Sequence, residues 1–213
     1  LVRGQWISNV TVLEQGSNFA PLSDCFASPG FRAKARLQPL GANIGPRRAV
    51  KRAAHAAGAG QAFIFTYPDL DLPNPIAPDF LTRLFALGAR YRVAKVGLAL
   101  DISDAQKIDQ KPKFGASNTI RSYYRRFFTN KLEAHVFSTN VDATFFLHVP
   151  QPHLPDFGIL TSQPRIPAIR VSGPGFLTGH RPWYFDNGLS EAEESHYRAR
   201  ATVASTHFGR DQE

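Results

Sequence analysis

Apolar and polar positions alternate over residues 7–13, with Val10 and Val12 on one side, and this predicts a short strand that Gly16-Ser17-Asn18 breaks. Residues 36–40 predict a second short strand. Residues 46–57 predict a helix, with Pro46 at its first position and Gly58 and Gly60 after its end. Residues 61–67 carry the apolar run Phe63-Ile64-Phe65, whose length suits a buried strand better than a helix. Pro68, Pro73, Pro75 and Pro78 then crowd a loop. Residues 78–91 predict a helix with Phe80, Leu81, Leu84, Phe85 and Leu87 on one face, and residues 93–100 the next strand. Strands alternating with helices in this way predict an α/β fold built on a parallel sheet with crossover helices.

The second half is less regular. Residues 119–131 suit a helix, and 134–149 suit strand structure interrupted at Asn140. Residues 151–167 contain four prolines and predict an irregular surface loop; 168–172 predict a short strand. Ser190 and Glu193 form a capping box, and Glu191, Glu193 and Glu194 suit the positive start of a final helix. No internal repeat or low-complexity linker interrupts the pattern, so residues 1–213 read as a single domain.

Composition narrows this picture. Of 213 residues, 43% are hydrophobic and 20% charged, which excludes a disordered or collagen-like chain. No run approaches the roughly 20 apolar residues of a membrane span, so a cytoplasmic protein is expected. One cysteine, Cys25, excludes an internal disulfide and a cysteine-based zinc site, and reads as a small apolar filler.

The net charge of +8 favours anionic partners: nucleic acid, phosphate-bearing metabolites or an acidic membrane surface. It is unevenly spread, at +6 over residues 1–60, −1 over 61–110, +5 over 111–137 and −2 over 138–213. Basic stretches thus flank an acidic one that contains Asp69-Leu70-Asp71. Alternation would point both carboxylates the same way, directly after a strand, where open α/β sheets bind ligands. Two carboxylates there suit Mg²⁺ or Mn²⁺ bound together with phosphate oxygens.

In this setting the chain resembles bacterial glycosyltransferases of the GT-A type, related to family 2. The stretches that carry the resemblance are Val12-Leu13-Glu14-Gln15-Gly16-Ser17, Asn43-Ile44-Gly45-Pro46 and Phe63-Ile64-Phe65-Thr66-Tyr67-Pro68-Asp69-Leu70-Asp71. Lys95-Val96-Gly97-Leu98-Ala99-Leu100-Asp101-Ile102, Val141-Asp142-Ala143-Thr144-Phe145 and Gly179-His180-Arg181-Pro182-Trp183-Tyr184 follow in the same order. The resemblance spans roughly residues 7–198. It implies a GT-A, Rossmann-like mixed sheet flanked by helices. It also implies transfer of a sugar from a nucleotide diphosphate-sugar to a hydroxyl acceptor, with bacterial surface glycan assembly as the setting.

The resemblance places Glu14, Asn43, Gly45 and Asp69 at the nucleotide-sugar, and Asp69, Asp71 and His180 around a divalent cation, Mn or Mg. It places Asp142 on the acceptor side as the catalytic base. The family's pattern often reads Asp-Pro-Asp where this chain has Tyr67-Pro68-Asp69, so Asp71 is left to supply the second carboxylate. Trp183 and Tyr184 suit a core position. Arg121, Arg125 and Arg126, with Tyr123 and Tyr124 between them, form a basic–aromatic stretch on a solvated helix face.

No nucleic-acid partner is expected, because zinc-finger spacing, an RNP-like strand and a sustained basic helix are all missing. The expected partners are the donor and a glycan or other hydroxyl acceptor, with peripheral membrane contact possible and no membrane-spanning segment. The rival readings are a non-catalytic remnant that keeps the fold for interaction, and a basic nucleic-acid-binding domain. The family's domains open with a further strand and helix before the segment like residues 7–14. With no methionine and little ahead of residue 7, the chain reads as N-terminally truncated, and is expected to be unstable or inactive alone.

Overall fold

A computed structural model describes residues 9–104, 106–108, 119–142, 144–163 and 165–200. The chain divides into two compact units, Leu1–Ala53 and Ala54–Glu213.

In the first unit, β1 (Thr11–Glu14) pairs in parallel with β2 (Arg36–Pro39), with Thr11 opposite Arg36 and Glu14 opposite Pro39. Two short helices connect them, α1 (Ala20–Ala27) and α2 (Pro29–Arg32). The hydrophobic pattern does not predict either helix, because α1 buries no residue and so carries no apolar stripe. Local chemistry makes them instead. Pro21 suits the first turn of α1, and the Ser28 hydroxyl caps α2 by accepting from the Phe31 N–H at 3.2 Å. Cys25 lies on α1 and is exposed, not the apolar filler expected from sequence. Helix α3 (Pro46–Ala57) has the predicted bounds and contains the division between the units. Gly58, at φ +90°, follows it in the left-handed conformation that ends many helices.

The second unit is built on a mixed sheet. Its strands are β3 (Phe63–Thr66), β4 (Leu70–Asp71), β5 (Lys95–Leu100), β6 (Lys131–Glu133), β7 (Val136–Ser138), β8 (Phe145–His148), β9 (Ala168–Val171) and β10 (Leu177–His180). The main path runs β3-β8-β5-β9-β7-β6, and β10 joins β5 to β4. The all-parallel arrangement suggested by the first half of the sequence is not what forms. β3 and β5 do point the same way, but β8 lies between them, antiparallel to both. Phe145-Phe146-Leu147-His148 is buried throughout, so it takes an interior place where both faces are covered.

The flanking helices are α4 (Phe80–Arg90), α5 (Ile120–Arg125), α6 (Phe157–Leu160) and α7 (Glu191–Arg200). Helix α4 presents the predicted face: Phe80, Leu81, Leu84 and Leu87 are buried against Val96, Leu98, Phe145, Leu147 and Ile169. A Cβ at Gly88 would meet Val149 Cγ2 at 2.7 Å, so this helix lies close on the sheet because residue 88 has no side chain. A second cluster joins Leu100, Ile108, Ile120, Tyr124 and Trp183, which gives Trp183 the core role expected of it.

The helix predicted over 119–131 stops at Arg125, passes through a 3-10 turn at Arg126–Phe128, and gives way to β6. The loop predicted over 151–167 contains the short α6. Ser190 and Glu193 make the capping box: the Ser190 N–H donates to Glu193 Oε2 at 2.9 Å and the Glu193 N–H donates to Ser190 Oγ at 3.2 Å. No helix among the described residues is long and apolar enough to cross a membrane.

Candidate functional site

The Asp69-Leu70-Asp71 segment leaves the carboxyl end of β3. The Tyr67 N–H donates to the Thr144 carbonyl at 2.8 Å, which carries the β3–β8 ladder one residue past the strand. β4 then pairs antiparallel with β10, Asp71 opposite Gly179 and Leu70 opposite His180. Three further bonds seal this corner. The Arg181 N–H donates to the Asp69 carbonyl at 3.0 Å, the Thr178 hydroxyl to the Asp71 carbonyl at 2.6 Å, and the Asp101 N–H to the Thr178 carbonyl at 2.8 Å. Residues more than 100 positions apart in the chain are therefore held together by backbone pairing.

Of the three residues expected around a cation, two meet. His180 Nε2 lies 3.3 Å from Asp69 Oδ2, and the imidazole is buried, edge-on to Trp183 at 4.8 Å. Asp69 Oδ1 is buried and accepts no hydrogen bond from a described residue. Asp71 is engaged elsewhere: its Oδ1 accepts from Arg181 Nε at 2.8 Å and forms an ion pair with Arg181 Nη2 at 2.8 Å. Among the described residues no group of three His, Cys, Asp or Glu side chains gathers around one point. The expected three-residue shell of Asp69, Asp71 and His180 therefore does not fit this arrangement, because Arg181 has already claimed the second carboxylate.

Asp142 sits in a second polar cluster, at the start of the segment leading into β8. Its Oδ1 accepts from the Thr144 hydroxyl at 2.5 Å and faces Arg170 Nη2 at 3.3 Å; its Oδ2 accepts from the Tyr124 hydroxyl at 3.1 Å. Burial raises the Asp142 pKa, but the Arg170 charge and the bonds from Thr144 and Tyr124 outweigh it and hold the carboxyl down to about 2. The side chain is 35% exposed, whereas that of Arg170 is 1% exposed.

Two buried cations staple the loop that carries Asp142. Arg170 Nε donates to the Asn140 carbonyl at 2.9 Å, and Lys95 Nζ donates to the Val141 carbonyl. The Lys95 ammonium also lies over the Phe146 ring, 4.3 Å from its centre. Burial lowers the Lys95 pKa to about 8, with the Arg170 charge adding to the effect and Asp142 opposing it. The glycine of β5 completes the seat: a Cβ at Gly97 would stand 2.3 Å from Val141 Cγ1.

Tyr67 feels the charge of both clusters. Burial raises its hydroxyl pKa, and the negative charges of Asp142 and Asp69 raise it further, so this phenol stands within electrostatic reach of both carboxylates. It remains neutral at any ordinary pH. Tyr184 plays the same part beside Asp71: burial first, then Asp101 and Asp71, push it up to about 12.

The remaining expected residues lie in the first unit. Glu14 ends β1, and its Oε1 accepts from the Ser17 N–H at 2.5 Å. Asn43 Oδ1 accepts from the Gly45 N–H at 3.0 Å, and the Gln15 side-chain oxygen from the Ile44 N–H at 3.1 Å. Gly45, at φ +75°, makes the turn into α3 that a side chain would strain. Glu14 and Ser17 line a cleft of about 300 Å³ together with Leu22, Ser23, Phe26 and Arg32. Asn43 and Gly45 do not line it.

Sequence reasoning missed Lys95 and Arg170. The available signal was a single cation within each apolar strand run, Val93-Ala94-Lys95-Val96 and Ala168-Ile169-Arg170-Val171. A buried charge of that kind needs a partner, and here both serve the Asp142 loop. The basic–aromatic stretch turns inward in part: Tyr124 is buried, and the Arg126 guanidinium lies 3.6 Å over the Tyr123 ring. No protein-family profile, curated protein or solved structure matches the chain.

Proposed function

We propose that the protein is a GT-A-like glycosyltransferase that moves a sugar from a nucleotide diphosphate-sugar to a hydroxyl acceptor. The observation that carries this reading is the corner where Asp69 meets His180. It lies beyond the carboxyl ends of β3 and β5, the position at which open α/β sheets bind ligands, and Tyr67 stands within electrostatic reach of both this corner and Asp142.

In this reading the diphosphate of the donor lies at the Asp69–His180–Arg181 corner and the acceptor hydroxyl lies beside Asp142. The acceptor oxygen attacks the anomeric carbon, the glycosidic bond to the diphosphate breaks, and the acceptor proton passes to Asp142. A carboxylate held near pKa 2 accepts a proton poorly from a neutral alcohol. It becomes adequate once the attacking oxygen has bonded to carbon and carries positive charge. Asp142 therefore orients the hydroxyl first and takes the proton late. No step is routed through a cation, because the three expected ligands do not close around one.

The test is a panel of nucleotide-sugars read by thermal shift and by donor hydrolysis, on the wild type and on Asp142→Asn. The expected result is that one donor class raises the melting temperature of both proteins and that hydrolysis or transfer is lost in Asp142→Asn. If no donor shifts the melting temperature and none is hydrolysed, the reading is wrong.

A further inference from the structure

We propose that Arg181, positioned by Asp71, supplies the positive charge that receives the donor's diphosphate, in the place where the resemblance would put a divalent cation. This rests on the glycosyl-transfer reading above and assigns the anion-binding group within it.

Arg181 is fixed at both ends. Its N–H is bound to the Asp69 carbonyl, and its own carbonyl accepts from the Tyr184 N–H at 3.1 Å, closing the 3-10 turn Arg181–Trp183 over the buried Trp183. Its guanidinium is held on one edge by the Nε hydrogen bond and the Nη2 ion-pair contact to Asp71 Oδ1. On another side it lies under Gly188, where a Cβ would come within 3.0 Å of Nη1. Gly188 also has φ +70°, so both the close approach and the backbone favour glycine there.

The hydrogen bond uses one of the five N–H groups of the guanidinium, and Nη2 lies in ion-pair contact with the same oxygen. The two on Nη1 have no acceptor among the described residues, and the side chain is half exposed. A planar fork that grips a carboxylate with one edge presents the other edge to two phosphate oxygens, which an ammonium cannot do.

Arg181 also lowers the repulsion at this corner. A diphosphate approaching the corner would otherwise meet two carboxylates. Arg181 cancels Asp71, and the carboxylate that remains, Asp69, faces His180. Stability gives little reason for this pairing, since an ion pair this exposed contributes little to folding. Fixing the orientation of a phosphate-binding group does explain it.

The experiment is titration calorimetry with UDP, GDP and dTDP, each with EDTA and again with Mn²⁺, on the wild type and on Arg181→Ala, Arg181→Lys and Asp71→Asn. Circular dichroism confirms that each variant folds. The expected result is that one nucleoside diphosphate binds in EDTA and that Arg181→Ala weakens it about tenfold or more. Arg181→Lys should recover only part of the loss, and Asp71→Asn should weaken binding without abolishing it. Binding that requires Mn²⁺ and is unchanged in Arg181→Ala overturns the assignment of Arg181 and leaves glycosyl transfer standing. Absence of binding by all three nucleotides in both conditions overturns both.

Discussion

Arg170→Met should destabilise the protein by roughly 3–4 kcal/mol, and the loss should be partly recovered by adding Asp142→Asn. Arg170 is 1% exposed, so methionine can occupy most of its volume without meeting water. What the substitution removes is the charge facing Asp142 at 3.3 Å and the donor to the Asn140 carbonyl at 2.9 Å. Breaking a buried pair by deleting one partner costs about 3–5 kcal/mol, mainly because the other charge is left behind. Asp142 is 35% exposed and keeps the bonds from Thr144 and Tyr124, which places the Coulombic part at the low end of that range. The orphaned carbonyl adds about 1 kcal/mol.

In a protein of this size the sum corresponds to a fall in melting temperature of roughly 6–15 °C. Urea unfolding at neutral pH, followed by tryptophan fluorescence, reads it directly, because Trp183 packs 4.5 Å from Tyr124 within the same cluster. The double variant Arg170→Met/Asp142→Asn carries neither member of the pair and keeps Lys95 as the remaining one of the two stapling cations at the loop. It should be more stable than the sum of the single losses predicts, by about 1–3 kcal/mol. A single-variant cost below about 1 kcal/mol, or strict additivity in the double variant, would refute the claim that Arg170 holds the Asp142 loop.

Lys95 makes stability depend on alkaline pH. Its folded pKa of about 8 lies below the ordinary 10.5, so the unfolded chain binds more protons between those values and stability rises with pH across the window. The gain is at most on the order of 3 kcal/mol. Because Tyr67 and Tyr124 are raised and pull stability down at higher pH, the effect should be measured as wild type minus Lys95→Met; a flat difference from pH 8 to 10.5 would show that Lys95 is not held as described. Gly97→Ala should cost at least about 1–3 kcal/mol, because the new methyl group meets Val141 and the Phe145 carbonyl. Adding Val141→Ala should restore most of that loss, and an unchanged melting temperature in Gly97→Ala alone would contradict the close packing of β5 against this loop.

Periodicity read the α/β class well where a strand or helix buries one face. Helices α3 and α4 and strands β5 and β9 lie where the pattern predicts them, because each is long or apolar enough to show its repeat. It read pairing less well. Nothing local in Phe145-Phe146-Leu147 says that β8 inserts antiparallel between β3 and β5, since pairing is decided by partners distant in the chain. Helices α1 and α2 escaped notice because they bury nothing. At the candidate site, the resemblance already groups Asp69 with His180, and β4–β10 pairing is what brings the two side chains together. The engagement of Asp71 by Arg181 was not legible, because it depends on the turn that follows β10 and on the absence of a side chain at Gly188.

The most direct test of the account is nuclear magnetic resonance mapping of a nucleotide-sugar on the isotopically labelled protein. Amide shifts on adding the donor identified by the panel should include residues 69–71 and 178–181, and Asp69→Ala should abolish them. Shifts that avoid this corner, or that persist unchanged in Asp69→Ala, would contradict it.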